Sequence, residues 1–167
     1  MAAGTFGPAD TLRATVPRPP DIWELARQGV ALVVATCGAD GRPAVARGWG
    51  PHLADDGDRL TLCVDAPPGS ATLQNLLAGS AIAATMSRPS TYSTVQLKGL
   101  LRAVRAPNAG EVDRVNAHLD AFAIETAGLG LDQTRARRLL GNALVTVVVD
   151  VAERYDQTPR PGAGAPM

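Results

Sequence analysis

Strand-like and helix-like segments alternate irregularly along the chain, and this order constrains the fold more than any other feature. Six segments carry the short apolar or alternating pattern of β-strands, at residues 30–37, 42–49, 59–64, 81–86, 92–104 and 143–151. Helical patterns follow only some of them, whereas a doubly wound parallel sheet needs a helix after nearly every strand. The order therefore predicts an α+β fold: a six-stranded antiparallel barrel with flanking helices.

Side-chain caps predict where the helices begin. Asp21 and Asn108 each stand three residues before a glutamate, which is the pattern of a capping box, and Ser70 can cap a helix that runs to Ala78. A further short basic helix is predicted over residues 132–140. The helix after Asn108 is the longest, because apolar residues recur there at helical spacing, at Val112, Val115, Leu119 and Phe122.

The first predicted strand is almost entirely apolar. From Val30 to Cys37 only Thr36 is polar, which predicts a strand buried on both faces. Cys37 closes this run and Cys63 lies in the third strand, so we expect both thiols to be buried. No cluster of cysteine and histidine has metal-ligand spacing, and no metal site is predicted.

Composition excludes several classes of function. The 16 Lys and Arg residues balance 16 Asp and Glu residues, so no nucleic-acid or anionic-membrane partner is indicated. No apolar run has membrane-spanning length and no signal-peptide pattern occurs, which favours a cytoplasmic protein. The length of 167 residues fits one domain. We expect an extended arm at residues 1–19, the domain at 20–155 and an irregular Pro/Gly-rich tail at 156–167.

Three short motifs resemble one known family. The turn Asp40-Gly41-Arg42-Pro43 with Arg47 behind it, the stretch Thr94-Val95-Gln96-Leu97-Lys98-Gly99, and the tail Asp156-Gln157-Thr158-Pro159 are similar to the pyridoxamine 5′-phosphate oxidase-like, FMN-binding split β-barrel superfamily. The resemblance to the barrel covers residues 20–155, and the tail is similar to the endings of uncharacterised flavin-barrel proteins. The resemblance implies a homodimeric, FMN-dependent oxidoreductase acting on a small molecule, with the flavin, or a deazaflavin, in a groove between subunits.

The resemblance also implies a cofactor site, although no catalytic residue. In that superfamily an arginine matching Arg47 holds the flavin phosphate, and a lysine stands at the position of His52. Trp49 would line the pocket. The implied cofactor-binding residues are Arg47, Gly48, Trp49, His52, Val64, Ser70, Thr72, Thr94 and Gln96.

Departures from the family pattern leave an alternative open. Ala71 and Thr72 stand where relatives carry Arg and Lys, so the chain is also compatible with a split barrel that has lost FMN. Such a protein would bind haem or another planar ligand without redox catalysis of its own, with His52 as a candidate axial ligand. Trp49 has a second interpretation, as a core or dimer-interface aromatic residue. His118 lies next to the apolar stripe of its helix and is expected at the surface.

Overall fold

The structure, a computed structural model, describes residues 20–167. The predicted arm at residues 1–19 lies outside this range. The elements in chain order are α1 (Ile22–Arg27), β1 (Ala31–Cys37), β2 (Pro43–Leu53), β3 (Arg59–Asp65), α2 (Ala71–Leu77), β4 (Ala81–Ser87), β5 (Thr94–Arg105), α3 (Ala109–Ala127), α4 (Gln133–Arg137), β6 (Leu144–Asp156) and β7 (Ala165–Pro166).

Six strands close into an antiparallel barrel. They follow the order β3-β2-β1-β4-β5-β6, and β6 pairs back with β3 through a register that sets Leu62 opposite Val147. The short β7 pairs with the last two residues of β6. The predicted α+β class and the six-stranded antiparallel barrel with flanking helices are confirmed. The homodimer stays a prediction.

Inward-facing side chains of all six strands fill the barrel, and two helices close its ends. Ile22 and Leu25 of α1 enter the core at the end where Trp23 Nε1 donates to the Ala54 carbonyl. Leu76 of α2 enters at the opposite end. All three helix caps predicted from the sequence are present, since Asp21, Ser70 and Asn108 each accept a backbone N–H.

The long helix α3 crosses the outside of β2 and forms a second hydrophobic cluster there. Trp49 is 3% exposed and packs edge-on against the rings of His118 and Phe122. Gly50 has a φ of 57°, and a Cβ built on it would lie 2.9 Å from the backbone nitrogen of Val115. Only glycine permits this contact, so α3 rests directly on the β2 backbone.

The strand β1 is buried on one face only, which corrects the sequence prediction. Its inward residues are buried, but Val33 is 40% exposed and Cys37 is exposed. In a closed barrel only the inner face of a strand reaches the core, and no helix covers β1 here. The prediction of buried thiols therefore holds for Cys63 and is wrong for Cys37.

The strand β6 extends to Asp156, five residues beyond the predicted end at Val151. Its extension pairs with β5, setting Glu153 opposite Lys98 and Tyr155 opposite Gln96. No helix within residues 20–167 combines the length and the apolar character needed to cross a lipid bilayer.

Candidate functional site

One side of the barrel carries outward-facing residues that no described helix covers. We refer to it as the open face; it comprises the outward side chains of residues 33–37, 43–47, 81–87 and 96–100. Three apolar side chains on it are strongly exposed, namely Val33 at 40%, Val45 at 65% and Leu100 at 66%. An exposed apolar surface of this kind is typical of a ligand-binding or protein-binding region.

A row of five side chains crosses the open face from strand to strand. The register sets Arg47 opposite Val33, Val33 opposite Thr85, Thr85 opposite Gln96, and Gln96 opposite Tyr155. Two of the residues implied by the resemblance, Arg47 and Gln96, thus lie on one face and in one row. They are separated by β1 and β4.

Arg47 is exposed, and its guanidinium makes no hydrogen bond or ion pair with any residue in the range 20–167. This contrasts with Arg105, which binds both carboxylate oxygens of Glu111 at 2.7 and 2.6 Å. An unpaired guanidinium offers fixed, fork-shaped donors that match a phosphate or a carboxylate. The row therefore has an anion-binding group at one end.

Gln96 provides hydrogen-bonding groups farther along the row. Its Nε2 donates to Thr85 Oγ1 at 3.0 Å, which fixes the orientation of the amide. The carboxamide oxygen has no partner among the residues that the structure describes. Next to Gln96 on the same face, Lys98 Nζ lies 4.7 Å from the centroid of the Tyr155 ring. The open face thus carries an amide, that of Gln96, and an aromatic ring, that of Tyr155, and such groups are suited to orienting a planar polar ligand.

A groove of about 390 Å³ lies beside this row on the open face. Its walls are mostly apolar and include Ala35, Cys37, Pro43 and Leu100, while Lys98 and Glu153 provide charge. Neither Cys37 nor Lys98 was predicted from the sequence to line a binding site. The pleat of Thr94-Val95-Gln96-Leu97-Lys98 would have placed Lys98 on the face of Gln96, since alternate residues of a strand point the same way.

Three other residues of the implied site lie inside the protein. Val64 is fully buried in the barrel, and Gly48 faces inward so closely that a Cβ would lie 2.7 Å from Leu32 Cγ. Trp49 lies beneath α3, as described above. That placement matches the alternative of a core aromatic residue.

The hydroxyl groups of the implied site are engaged within the protein. Ser70 Oγ accepts from the Leu73 amide at 3.2 Å as the cap of α2, and Thr72 is 5% exposed. Thr94 Oγ1 donates to the Tyr92 carbonyl at 2.8 Å and lies 2.7 Å from Ser87 Oγ. The Ser70 cap was expected from the sequence, but the bonds of Thr94 were not, because they depend on the final loop and strand geometry.

His52 is exposed, but α3 separates it from Arg47. The four residues between them on β2 are all buried, and Trp49 and Gly50 contact α3 directly. His118 is 7% exposed, and its Nδ1 accepts from the Gly50 amide at 3.1 Å, so the prediction of a surface histidine is wrong. Burial lowers the pKa of His118 to about 4, while a hydrogen bond to the Val30 carbonyl acts in the opposite direction.

The tail folds back on the end of β6. Arg160 forms an ion pair with Asp156 of the same chain, and both side chains are largely buried. Thr158 Oγ1 accepts from the Thr94 amide at 3.1 Å.

Comparisons with known proteins show the fold. No protein-family model and no curated protein sequence matches the chain. Among solved structures, HupZ from Group A Streptococcus is 16% identical with a TM-score of 0.50, over 86% of this chain and 94% of HupZ. An F420 reductase is 20% identical with a TM-score of 0.53, over 81% and 97%. A pyridoxamine 5′-phosphate oxidase-related, FMN-binding protein from Nostoc punctiforme is 15% identical with a TM-score of 0.42, over 81% and 77%.

The chain shares its barrel fold with HupZ and with the F420 reductase. The resemblance found in the sequence is therefore confirmed at the level of the fold. Identities of 16% and 20% establish nothing about activity.

Proposed function

We propose that the chain is a flavin-dependent oxidoreductase that binds FMN, or a deazaflavin, on the open face of a homodimer and acts on a small molecule. The observation that carries this proposal is the exposed, unpartnered guanidinium of Arg47 at the end of a polar row on that face. The similarity in fold to an F420 reductase supports it.

Two residues of the open face suit a flavin. Arg47 would bind the phosphate, and the free carboxamide oxygen of Gln96 would accept a hydrogen bond from a ring or ribityl donor. When bound, a flavin supplies hydride or electron transfer, so the protein needs no acid or base of its own for the redox step. The chain's residues position the cofactor and set its electrostatic surroundings.

A second copy of the chain would complete this site. The open face exposes Val33, Val45 and Leu100 around the row, and a symmetric partner would bury them against the equivalent residues. Burial of these side chains would exclude water from the bound ring and from the substrate.

The test is a titration of the purified protein with FMN and with F420, followed by absorbance and flavin fluorescence. We expect saturable binding, weakened about 10- to 100-fold by Arg47→Gln, because a hydrogen bond to a charged group contributes about 1.5–3 kcal/mol. Arg138→Gln is the matched control, since Arg138 is also exposed and its side chain has no partner in the described part of the chain. Equal affinity of wild type and Arg47→Gln, or no binding of either cofactor, contradicts the proposal.

The second candidate is a split barrel that binds haem or another planar ligand without redox catalysis. The mostly apolar walls of the 390 Å³ groove favour it. A haem in that groove would lie across α3 from His52, so we expect its Soret band to survive His52→Ala. Loss of the band in that variant would assign His52 as the ligand and move the site away from the groove.

A further inference from the structure

A second cavity lies on the other side of α3, between that helix, α1 and the end of β2. Its volume is about 240 Å³. Four nitrogen-bearing side chains line it, together with small apolar residues: Arg27, His52, Arg114 and His118. They come from three elements of the fold, so the cavity depends on the tertiary structure.

The positive charges around this cavity are not fully neutralised by the protein. Arg27 and His52 make no ion pair or hydrogen bond with any residue of the described range 20–167. Arg114 lies 3.8 Å from Glu111, but both oxygens of that carboxylate already bind Arg105 at 2.7 and 2.6 Å. Arg27 therefore lines the cavity without a carboxylate partner, and Arg114 shares the carboxylate of Glu111 with Arg105.

One buried donor at the cavity also lacks an acceptor. Arg114 Nε is shielded from solvent and has no hydrogen-bond partner among the described residues. Buried donors without acceptors are rare in proteins, and an anion in the cavity would supply an acceptor for this one.

The cavity is separate from the open face. Trp49 and Gly50 lie under α3 between Arg47 and His52, so a group bound at His52 cannot reach Arg47. The exposed Asp55 lines a smaller adjoining cavity of about 80 Å³ and makes no ion pair with Arg27 in the described structure. Its position leaves the larger cavity cationic.

We propose that this cavity binds an oxyanion, the phosphate or carboxylate group of a small metabolite, at a site distinct from the flavin site. Arg27 and Arg114 provide charge-assisted donors from two helices, and His52 adds a third from β2. The anion would pair with the Arg27 guanidinium, which has no carboxylate partner in the described structure. The proposal does not depend on flavin binding.

The test is isothermal titration calorimetry of the full chain with inorganic phosphate and with acetate, at constant ionic strength set with sodium chloride. We expect saturable binding of at least one anion, weakened at least tenfold by Arg27→Gln and by Arg114→Gln. Phosphate binding alone identifies a phosphate site, and acetate binding alone identifies a carboxylate site.

Arg138→Gln is the control and should bind the anion with wild-type affinity, because Arg138 is exposed and lines neither of these two cavities. Because Arg27 is exposed, its replacement leaves the core intact and separates loss of binding from loss of folding. An absence of saturable binding by wild type, or equal weakening by Arg138→Gln, overturns the proposal. Anion binding lost in Arg47→Gln but kept in Arg27→Gln overturns it as well.

Discussion

The carboxylate of Glu111, 4% exposed, is held by donors from three parts of the chain. Arg105 binds both of its oxygens, Thr146 Oγ1 donates to it at 2.8 Å, and the Asn108 amide donates at 2.9 Å. These bonds lower the pKa of Glu111 to about 2, and the bond from Arg105 has the largest effect. Burial acts in the opposite direction. The residue joins the start of α3 to β5 and β6.

We expect Glu111→Gln to lower the free energy of unfolding at pH 7 by about 1–3 kcal/mol, because it removes the charged acceptor of Arg105, which is 44% exposed, and of the buried Thr146 hydroxyl. Urea denaturation measures this loss. Asp113→Asn, an exposed carboxylate on the same helix, is the matched control and should change stability by less than about 0.5 kcal/mol. A loss below 1 kcal/mol in Glu111→Gln contradicts the assignment.

The contact between α3 and β2 should be sensitive to pH through His118. Its pKa is about 4 in the folded chain and near 6.5 when the chain is unfolded. The unfolded chain therefore binds the proton first, so stability falls as pH decreases from about 6.5 to 4. Glu111 acts at lower pH: its contribution is complete above its unfolded pKa and is lost as pH falls toward 2.

We expect wild type to lose up to about 3 kcal/mol of unfolding free energy between pH 7 and pH 4 through His118. His118→Gln should flatten this dependence, because glutamine does not titrate. His52→Gln, an exposed histidine on β2, is the control and should keep the wild-type dependence. The assignment is wrong if His118→Gln and wild type have the same slope, as shown by chemical denaturation at each pH.

Local signals in the sequence predicted the elements well. The caps at Asp21, Ser70 and Asn108 depend on bonds within four residues of the cap, so the sequence contains them. The position of α3 depends on contacts such as that between Gly50 and His118, 68 residues apart. Patterns within a single helix cannot reveal such contacts, and for this reason His118 was expected at the surface.

The candidate site was predictable only in part, for the same reason. The family motifs selected Arg47 and Gln96, and the register of the sheet brings both onto the open face. The register shift in β2 between Trp49 and His52, together with the crossing of α3, then separates His52 from Arg47. A five-residue spacing in the sequence does not show what lies between two side chains.

At the scale of the whole molecule, the open face should form a homodimer interface. We expect wild type to be a dimer by light scattering, and Val45→Asp to shift it toward monomer, because the substitution places a charge within an apolar surface that a partner would bury. FMN affinity should fall with it. Ile124→Asp, at a 79% exposed position on α3, is the control and should remain dimeric. A monomeric wild type contradicts the proposed site.

The seam between β3 and β6 also bears on how the chain folds during synthesis. Cys63 and Thr146 face each other across it, although they are 83 residues apart in sequence. A growing chain that has released β1 to β5 still has two open sheet edges, at β3 and β5, and unpaired edges promote aggregation. Closure must wait for β6 to pair with β3, so folding to completion should be slow.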